Sequence, residues 1–160
     1  TLYDRKNPTI PLAVILKSSK VTDADLVHLQ GLTSLQSLDL KYTQVTDGGL
    51  AHLKRMPSLQ RLSLGGTKVT DAGLVHLKGM KRMQSLDFYR TDVTDAGLVH
   101  LKRLTNLKRL YLDNTEVTDA GLVRLKRMKK LEFLRLSNTK VTDIGVKKLK
   151  AALPKCRILN

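Results

Sequence analysis

Aspartate, threonine and histidine are the side chains in this chain with the most chemistry to offer, and they recur in one fixed phrase. The ten residues from Val69 to Lys78, VTDAGLVHLK, return unchanged from Val93 to Lys102. An aspartate holds the same place in six copies of the phrase: Asp23, Asp47, Asp71, Asp95, Asp119 and Asp143. Carboxylates in a row can ligate a metal ion or act as general acids and bases. Each of these, however, stands just before an apolar stripe of helical spacing, such as Leu74, Leu77 and Met80. There a side-chain oxygen caps free backbone N–H groups. Capping explains both the residue and its position, and the aspartates are read as helix caps.

The histidines His28, His52, His76 and His100 form a second column. Zinc holds ligand nitrogens about 2 Å away, whereas side chains on neighbouring helices start about 8–10 Å apart. The column continues as Arg124 and Lys148, which no metal site would accept. A flank role, histidine of one helix against valine of the next, is expected instead. Ser63 to Asp71, SLGGTKVTD, lacks the spacing of a phosphate-binding loop. No nucleophile–histidine–acid set stands outside the repeated columns, so no catalytic, cofactor-binding or metal-binding residue is predicted. The single cysteine, Cys156, excludes an internal disulfide framework and an all-cysteine zinc site.

These columns exist because the chain repeats. The phrase starts at Val21, Val45, Val69, Val93, Val117 and Val141, always 24 residues apart. Within a unit, apolar residues three apart give a short helix, and pairs two apart, such as Leu110 and Leu112, give one face of a strand. Residues 1–10 read as a tail or linker, 11–20 as a half repeat, 21–140 as five repeats and 141–160 as a C-terminal capping repeat. The glycines Gly49, Gly73, Gly97, Gly121 and Gly145 sit inside the helical stripe, where glycine is costly. Close packing on the neighbouring unit is the expected reason; the first unit departs from the pattern with Asp25. Thr43, Thr67, Thr91, Thr115 and Thr139 are expected to bond backbone groups of adjacent coils.

With 160 residues and 41% hydrophobic content, the chain is long enough for one domain with a sizeable core. Its longest apolar run, Ile10 to Leu16, is too short to span a bilayer. The chain opens on Thr1 without a signal-like start, and a processed form would look the same. A cytoplasmic and an exported bacterial location both stay open. Net charge is +15. Fifteen bases lie between helix middles and the following strands, leaving fourteen bases against fourteen acids elsewhere. They run from Lys54 and Arg55, through Lys78, Lys81, Arg82, Lys102 and Arg103, to a dense C-terminal set. That set holds Arg124, Lys126, Arg127, Lys129 and Lys130, then Lys147, Lys148 and Lys150. Cations at helix C-termini favour the dipole, and a dense row also attracts polyanions.

The pattern L-x-x-L-x-L-x-x-T, as in Leu107, Leu110, Leu112 and Thr115, resembles the leucine-rich repeat signature, with threonine for its usual asparagine or cysteine. The 24-residue unit with V-T-D-A-G-L is similar to planctomycete-type bacterial leucine-rich repeat proteins, as is the ending KKLKAALPKCRIL. The resemblance implies an α/β solenoid, an arc or horseshoe, with a parallel concave sheet of about seven short strands and helices on the convex side. Strands are placed near 12–16, 37–41, 61–65, 85–89, 109–113, 133–137 and 157–159. It also implies a binding scaffold, since the fold serves many unrelated partners.

Outward strand positions and the residue just beyond each strand are where the repeats disagree. They hold Tyr42, Arg61, Asp87, Tyr89, Arg90, Arg109, Tyr111, Asp113, Phe133 and Arg135, the expected partner-binding set. Exposed tyrosine and arginine together are enriched at binding hot spots. The expectation is a non-catalytic scaffold that takes a protein partner on its concave face, with no small-molecule substrate. The alternative is a basic adaptor for nucleic acid or anionic membrane, using Arg124, Lys126, Arg127, Lys129 and Lys130.

Overall fold

Each repeat spends its apolar residues twice, once on a strand and once on a helix, so a single coil cannot close its own core. Stacking solves this, and a computed structural model describes the result for residues 12–160. The proposed tail at 1–10 and Pro11 at the head of the half repeat lie outside the described residues. Seven strands form one parallel sheet in sequence order: β1 (Ala13–Ile15), β2 (Ser37–Asp39), β3 (Arg61–Ser63), β4 (Ser85–Asp87), β5 (Arg109–Tyr111), β6 (Phe133–Arg135) and β7 (Arg157–Leu159). Every neighbouring pair is offset by the 24-residue repeat, from Ala13 opposite Ser37 to Phe133 opposite Arg157. The register therefore holds through the last coil.

The strands are three residues long, where five were expected for all but the last, although the hydrogen-bond ladder runs on. Leu40 N donates to Ser63 O at 2.9 Å and Tyr42 N to Gly65 O at 2.8 Å, and later coils repeat the pair. The chain then leaves the sheet through a left-handed residue: Ser18, Tyr42, Gly66, Arg90, Asn114 or Asn138, with φ between 54° and 68°. Asparagine and glycine accept that conformation readily, whereas tyrosine and arginine hold it at a cost of about 1–2 kcal/mol.

The convex side carries four α-helices: α1 (Asp47–Leu53), α2 (Asp95–Leu98), α3 (Asp119–Leu125) and α4 (Asp143–Ala152). The same phrase winds as a 3-10 helix at Ala24–Leu29 and Gly73–Leu77, and α2 continues as one over Val99–Arg103. One continuous core runs from Leu26 to Cys156 between helices and sheet. It includes the predicted stripe of Leu74, Leu77 and Met80, and Leu110 and Leu112 from the strand face.

The aspartates are not the caps they were read as. The N-cap residues of the α-helices are Thr46, Thr94, Thr118 and Thr142, whose hydroxyls accept backbone N–H groups two or three residues on at 3.1–3.3 Å. Asp47, Asp95, Asp119 and Asp143 are the first residues of these helices, and the carboxylates of Asp23, Asp47, Asp71, Asp95 and Asp119 reach into the next coil. Asp71 accepts Thr94 N at 2.8 Å and Thr94 Oγ1 at 2.6 Å. The same pair of bonds joins Asp23 to Thr46, Asp47 to Thr70, Asp95 to Thr118 and Asp119 to Thr142. Threonine at the cap has φ and ψ in the extended region, so its N–H points out of the helix and needs a partner. The preceding coil supplies it.

That carboxylate explains the glycine. A Cβ on Gly97 would lie 2.3 Å from Asp71 Oδ1, and on Gly121 2.2 Å from Asp95 Oδ1. Close packing was expected here, and its object is the aspartate of the preceding coil. In the first unit, Asp25 takes the glycine position and bonds Thr22 N at 2.8 Å and Thr22 Oγ1 at 2.9 Å. It does for its own coil what the preceding aspartate does for the others. A second correction concerns Thr43, Thr67, Thr91, Thr115 and Thr139. Their hydroxyls donate to the carbonyl three residues earlier in the same coil, at 2.6–2.8 Å, and not to an adjacent coil.

Candidate functional site

Outward-facing positions of β2 to β6 meet in a hollow of about 440 Å³ on the concave face. Small residues open it: Ser63 and Ser85 line it, and Gly65 adjoins. Tyr42, Tyr89 and Tyr111 wall it, and Asp87, Asp113, Lys41 and Arg135 supply charge. Of the ten partner-binding residues expected from sequence, Tyr42, Asp87, Tyr89, Tyr111, Asp113 and Arg135 come together there. Arg61, Arg90 and Arg109 are exposed beside it, and Phe133 is half-buried. The Phe133 ring stands 5.6 Å from that of Tyr111, tilted by 54°, a favourable aromatic geometry.

Two of the six are not the open surface groups that strand alternation suggests. Asp87 and Asp113 are 7% and 2% exposed. A buried carboxylate needs a cation, and each has one. Lys41 crosses from the end of β2 over β3 to place Nζ 2.5 Å from Asp87 Oδ2. Partial burial pushes the Lys41 amine down, but the hydrogen bond and charge of Asp87, with Asp39, outweigh it and leave it raised. Arg135 Nε lies 3.0 Å from Asp113 Oδ1. Its N–H is not directed at that oxygen, which has charge contact but no aligned donor. Asp87 Oδ1 also accepts Tyr89 N at 2.9 Å, fixing the turn that carries the tyrosine. The hollow is thus rigid, amphipathic and paired in charge, which suits recognition of another surface.

A second hollow, about 350 Å³, lies on the edge where the chain enters the strands. Gln60, Gln84 and Asn106 line it with Arg82, Lys108 and Lys130. Sequence reading missed it, although the position just before each strand (Gln60, Gln84, Lys108) stands out once units are aligned at 24 residues. Of the expected polyanion-binding residues, only Lys130 reaches it, donating to Asn106 Oδ1 at 2.7 Å. Lys129 is turned to the carbonyl of Ala152 at 3.0 Å, Lys126 is half-buried, and Arg124 and Arg127 are exposed.

The histidine column is half-buried from His52 to His100 and exposed at His28. His52 Nδ1 pairs with Gln30 Nε2 at 2.7 Å. The valines expected to cover the column stay open at Val27, Val75 and Val123. Among the described residues no group of histidine, cysteine and acid could hold a metal ion, and no helix is long and apolar enough to cross a membrane. Cys156 is buried, and burial pushes its thiol pKa up.

A sequential parallel sheet with one helical turn per strand defines the class: an open α/β solenoid built of identical coils. The family follows from two comparisons. Leucine-rich repeat family models match residues 31–53, 55–77 and, as a two-copy unit, 105–155. The chain is a leucine-rich repeat protein. Among solved structures it is similar to an internalin of Listeria monocytogenes, at 21% identity and TM-score 0.77 over 99% of this chain and 51% of that one. Internalin C2 of the same organism matches at 26% identity and TM-score 0.64, over 92% of this chain and 69% of that one. A leucine-rich repeat protein of Leptospira interrogans matches at 22% and 0.71, over 92% and 36%. The chain thus spans about half the length of the first of these structures. No curated protein sequence matches it.

Proposed function

We propose that this chain is a non-catalytic scaffold that holds a protein partner on the concave face of its solenoid. The observation behind this is where variation falls. Helix phrases repeat almost letter for letter, while the concave positions gather three tyrosines, two ion pairs on buried aspartates and an aromatic pair around one hollow. Tyrosine and arginine set together around a pocket are the residues enriched where binding energy concentrates. The partner-binding residues under this reading are the ten named from sequence, centred on Tyr89, Arg109, Tyr111, Phe133 and Arg135. The V-T-D-A-G-L unit further supports placing the chain with the planctomycete-type repeat proteins.

The double variant Tyr111→Ala, Phe133→Ala tests the reading by affinity capture from native lysate. We expect partner recovery to fall at least tenfold, roughly the loss of one hot-spot contact, with thermal unfolding changed by only a few degrees. Equal recovery by wild type and variant overturns it. A second reading, a basic adaptor for nucleic acid or anionic membrane, draws on the +15 charge. The same capture at two salt concentrations separates them, because polyanion binding falls steeply with salt.

A further inference from the structure

The first outward position of each strand forms a straight row across the sheet. Strand register places Arg61, Ser85, Arg109, Phe133 and Arg157 side by side on β3 to β7. The arginines occupy alternate strands. Neighbouring strands lie about 4.8 Å apart, so Arg61, Arg109 and Arg157 project their guanidinium groups at steps of about 10 Å. All three are exposed, and none has an ion pair with an acid among the described residues. Glu132, next to Phe133 in the chain, is taken up by Lys108 at 3.3 Å. On the side away from the tyrosine hollow, the row borders the second hollow with Arg82, Lys108 and Lys130. The three arginines of this row are therefore a band of unmatched positive charge with one aromatic ring set into it.

From this band we infer the chemistry of the partner, resting on the concave-face reading: an acidic segment in the polyproline II conformation laid across the strands, with a carboxylate at every third residue. In the polyproline II conformation a chain rises about 3.1 Å per residue with three residues per turn, so acids three apart lie on one face about 9 Å apart and meet successive arginines. Arginine receives carboxylates through a planar fork, which rewards such alignment more than a lysine row would. The step over Phe133 favours an apolar residue between the second and third acids. Acids two apart turn to different faces of such a chain, and only every third of them, about 19 Å on, returns to the arginine row.

The test uses two fluorescein-labelled glycine–serine peptides of equal length and charge, one with glutamate at every third position and one at every second, plus a glutamine control. Titrated at low salt against the wild-type chain by fluorescence anisotropy, the every-third peptide should bind about fivefold tighter than the every-second one. The glutamine control should not bind. Arg109→Gln together with Arg157→Gln should abolish the preference, and both positions are exposed enough to leave the fold unchanged. Equal binding of the two acidic peptides overturns the inference, as does binding indifferent to the arginine changes or no binding at all. If any of these occurs while Tyr111→Ala, Phe133→Ala still loses the captured protein, the acidic register fails and the concave-face reading stands.

Discussion

Three residues of the repeat, T-D-x-G, act as one device shared by two coils. The aspartate of one coil satisfies the threonine N–H and hydroxyl of the next, and the glycine of that next coil leaves room for it. Hydrogen bonds to a charged group are worth about 1.5–3 kcal/mol each. Asp71→Ala should therefore cost about 2–3 kcal/mol in denaturant unfolding, since it strands the Thr94 N–H. Gly97→Ala should cost about 2 kcal/mol, because its methyl meets Asp71 Oδ1 at 2.3 Å and Leu74 Cδ2 at 3.0 Å. Combined, the two changes should cost less than their sum by about 1 kcal/mol or more, since removing the carboxylate vacates the space the methyl needs. Strict additivity would mean that the glycine answers to something other than the aspartate. Asp25 points the same way, because an acid fits the glycine position in a coil that takes no bridging carboxylate from a preceding one.

At the scale of elements, strands and helices were legible because two apolar periods alternate inside a fixed 24-residue unit. Strand starts followed directly, while strand ends did not, since a left-handed Tyr42 or Arg90 carries no turn-forming signature. Contacts 23 residues apart were also invisible: spacing shows that Asp71 precedes a helix, not that it looks toward the coil ahead. For the same reason Asp87 and Asp113 read as open surface acids, because nothing local announces that Lys41 and Arg135 cover them. The helix flanks carry a measurable consequence. Burial, and then the nearby charge of Lys54, lowers the pKa of His76, and Asp47 opposes this only in part; burial and Lys78 act likewise on His100. His76 Nδ1 is buried without a partner. A histidine easier to protonate unfolded than folded leaves stability untouched well above its ordinary pKa of about 6.5. Stability then falls as pH drops below that value toward the lowered one. Urea midpoints should be lower at pH 5.5 than at pH 7.5, and His76→Gln with His100→Gln should flatten that difference. An unchanged slope in the double variant would place the titrating groups elsewhere.

For the molecule as a whole, stacking identical coils stacks their charges. Lys54, Lys78, Lys102 and Lys126 stand at one position of successive units, with Arg55, Arg103 and Arg127 beside them. Five of the six repeat aspartates are turned into the bridges between coils, and Asp87 and Asp113 on the concave face are held by their own cations. A net charge of +15 is therefore spread along an elongated body with little local compensation on its basic edge. Self-repulsion of this kind destabilises the compact state, and it reaches about 30 Å at 0.01 M salt but only about 8 Å at 0.15 M. Raising salt should stabilise the chain, lifting its unfolding temperature by about 3 °C or more across that range. The bridges between aspartate and threonine pair an acid with neutral donors at contact distance, so screening barely weakens them. Binding of an acidic partner across the arginine row should move in the opposite sense, weakening over the same salt range. Calorimetry and anisotropy on one set of samples would measure both. An unfolding temperature that falls with salt would mean that the surface pairs Lys108–Glu132 and Lys140–Glu116 outweigh the repulsion. Such exposed pairs are worth at most about 1 kcal/mol each, and two of them do not offset a lysine or arginine carried on nearly every coil.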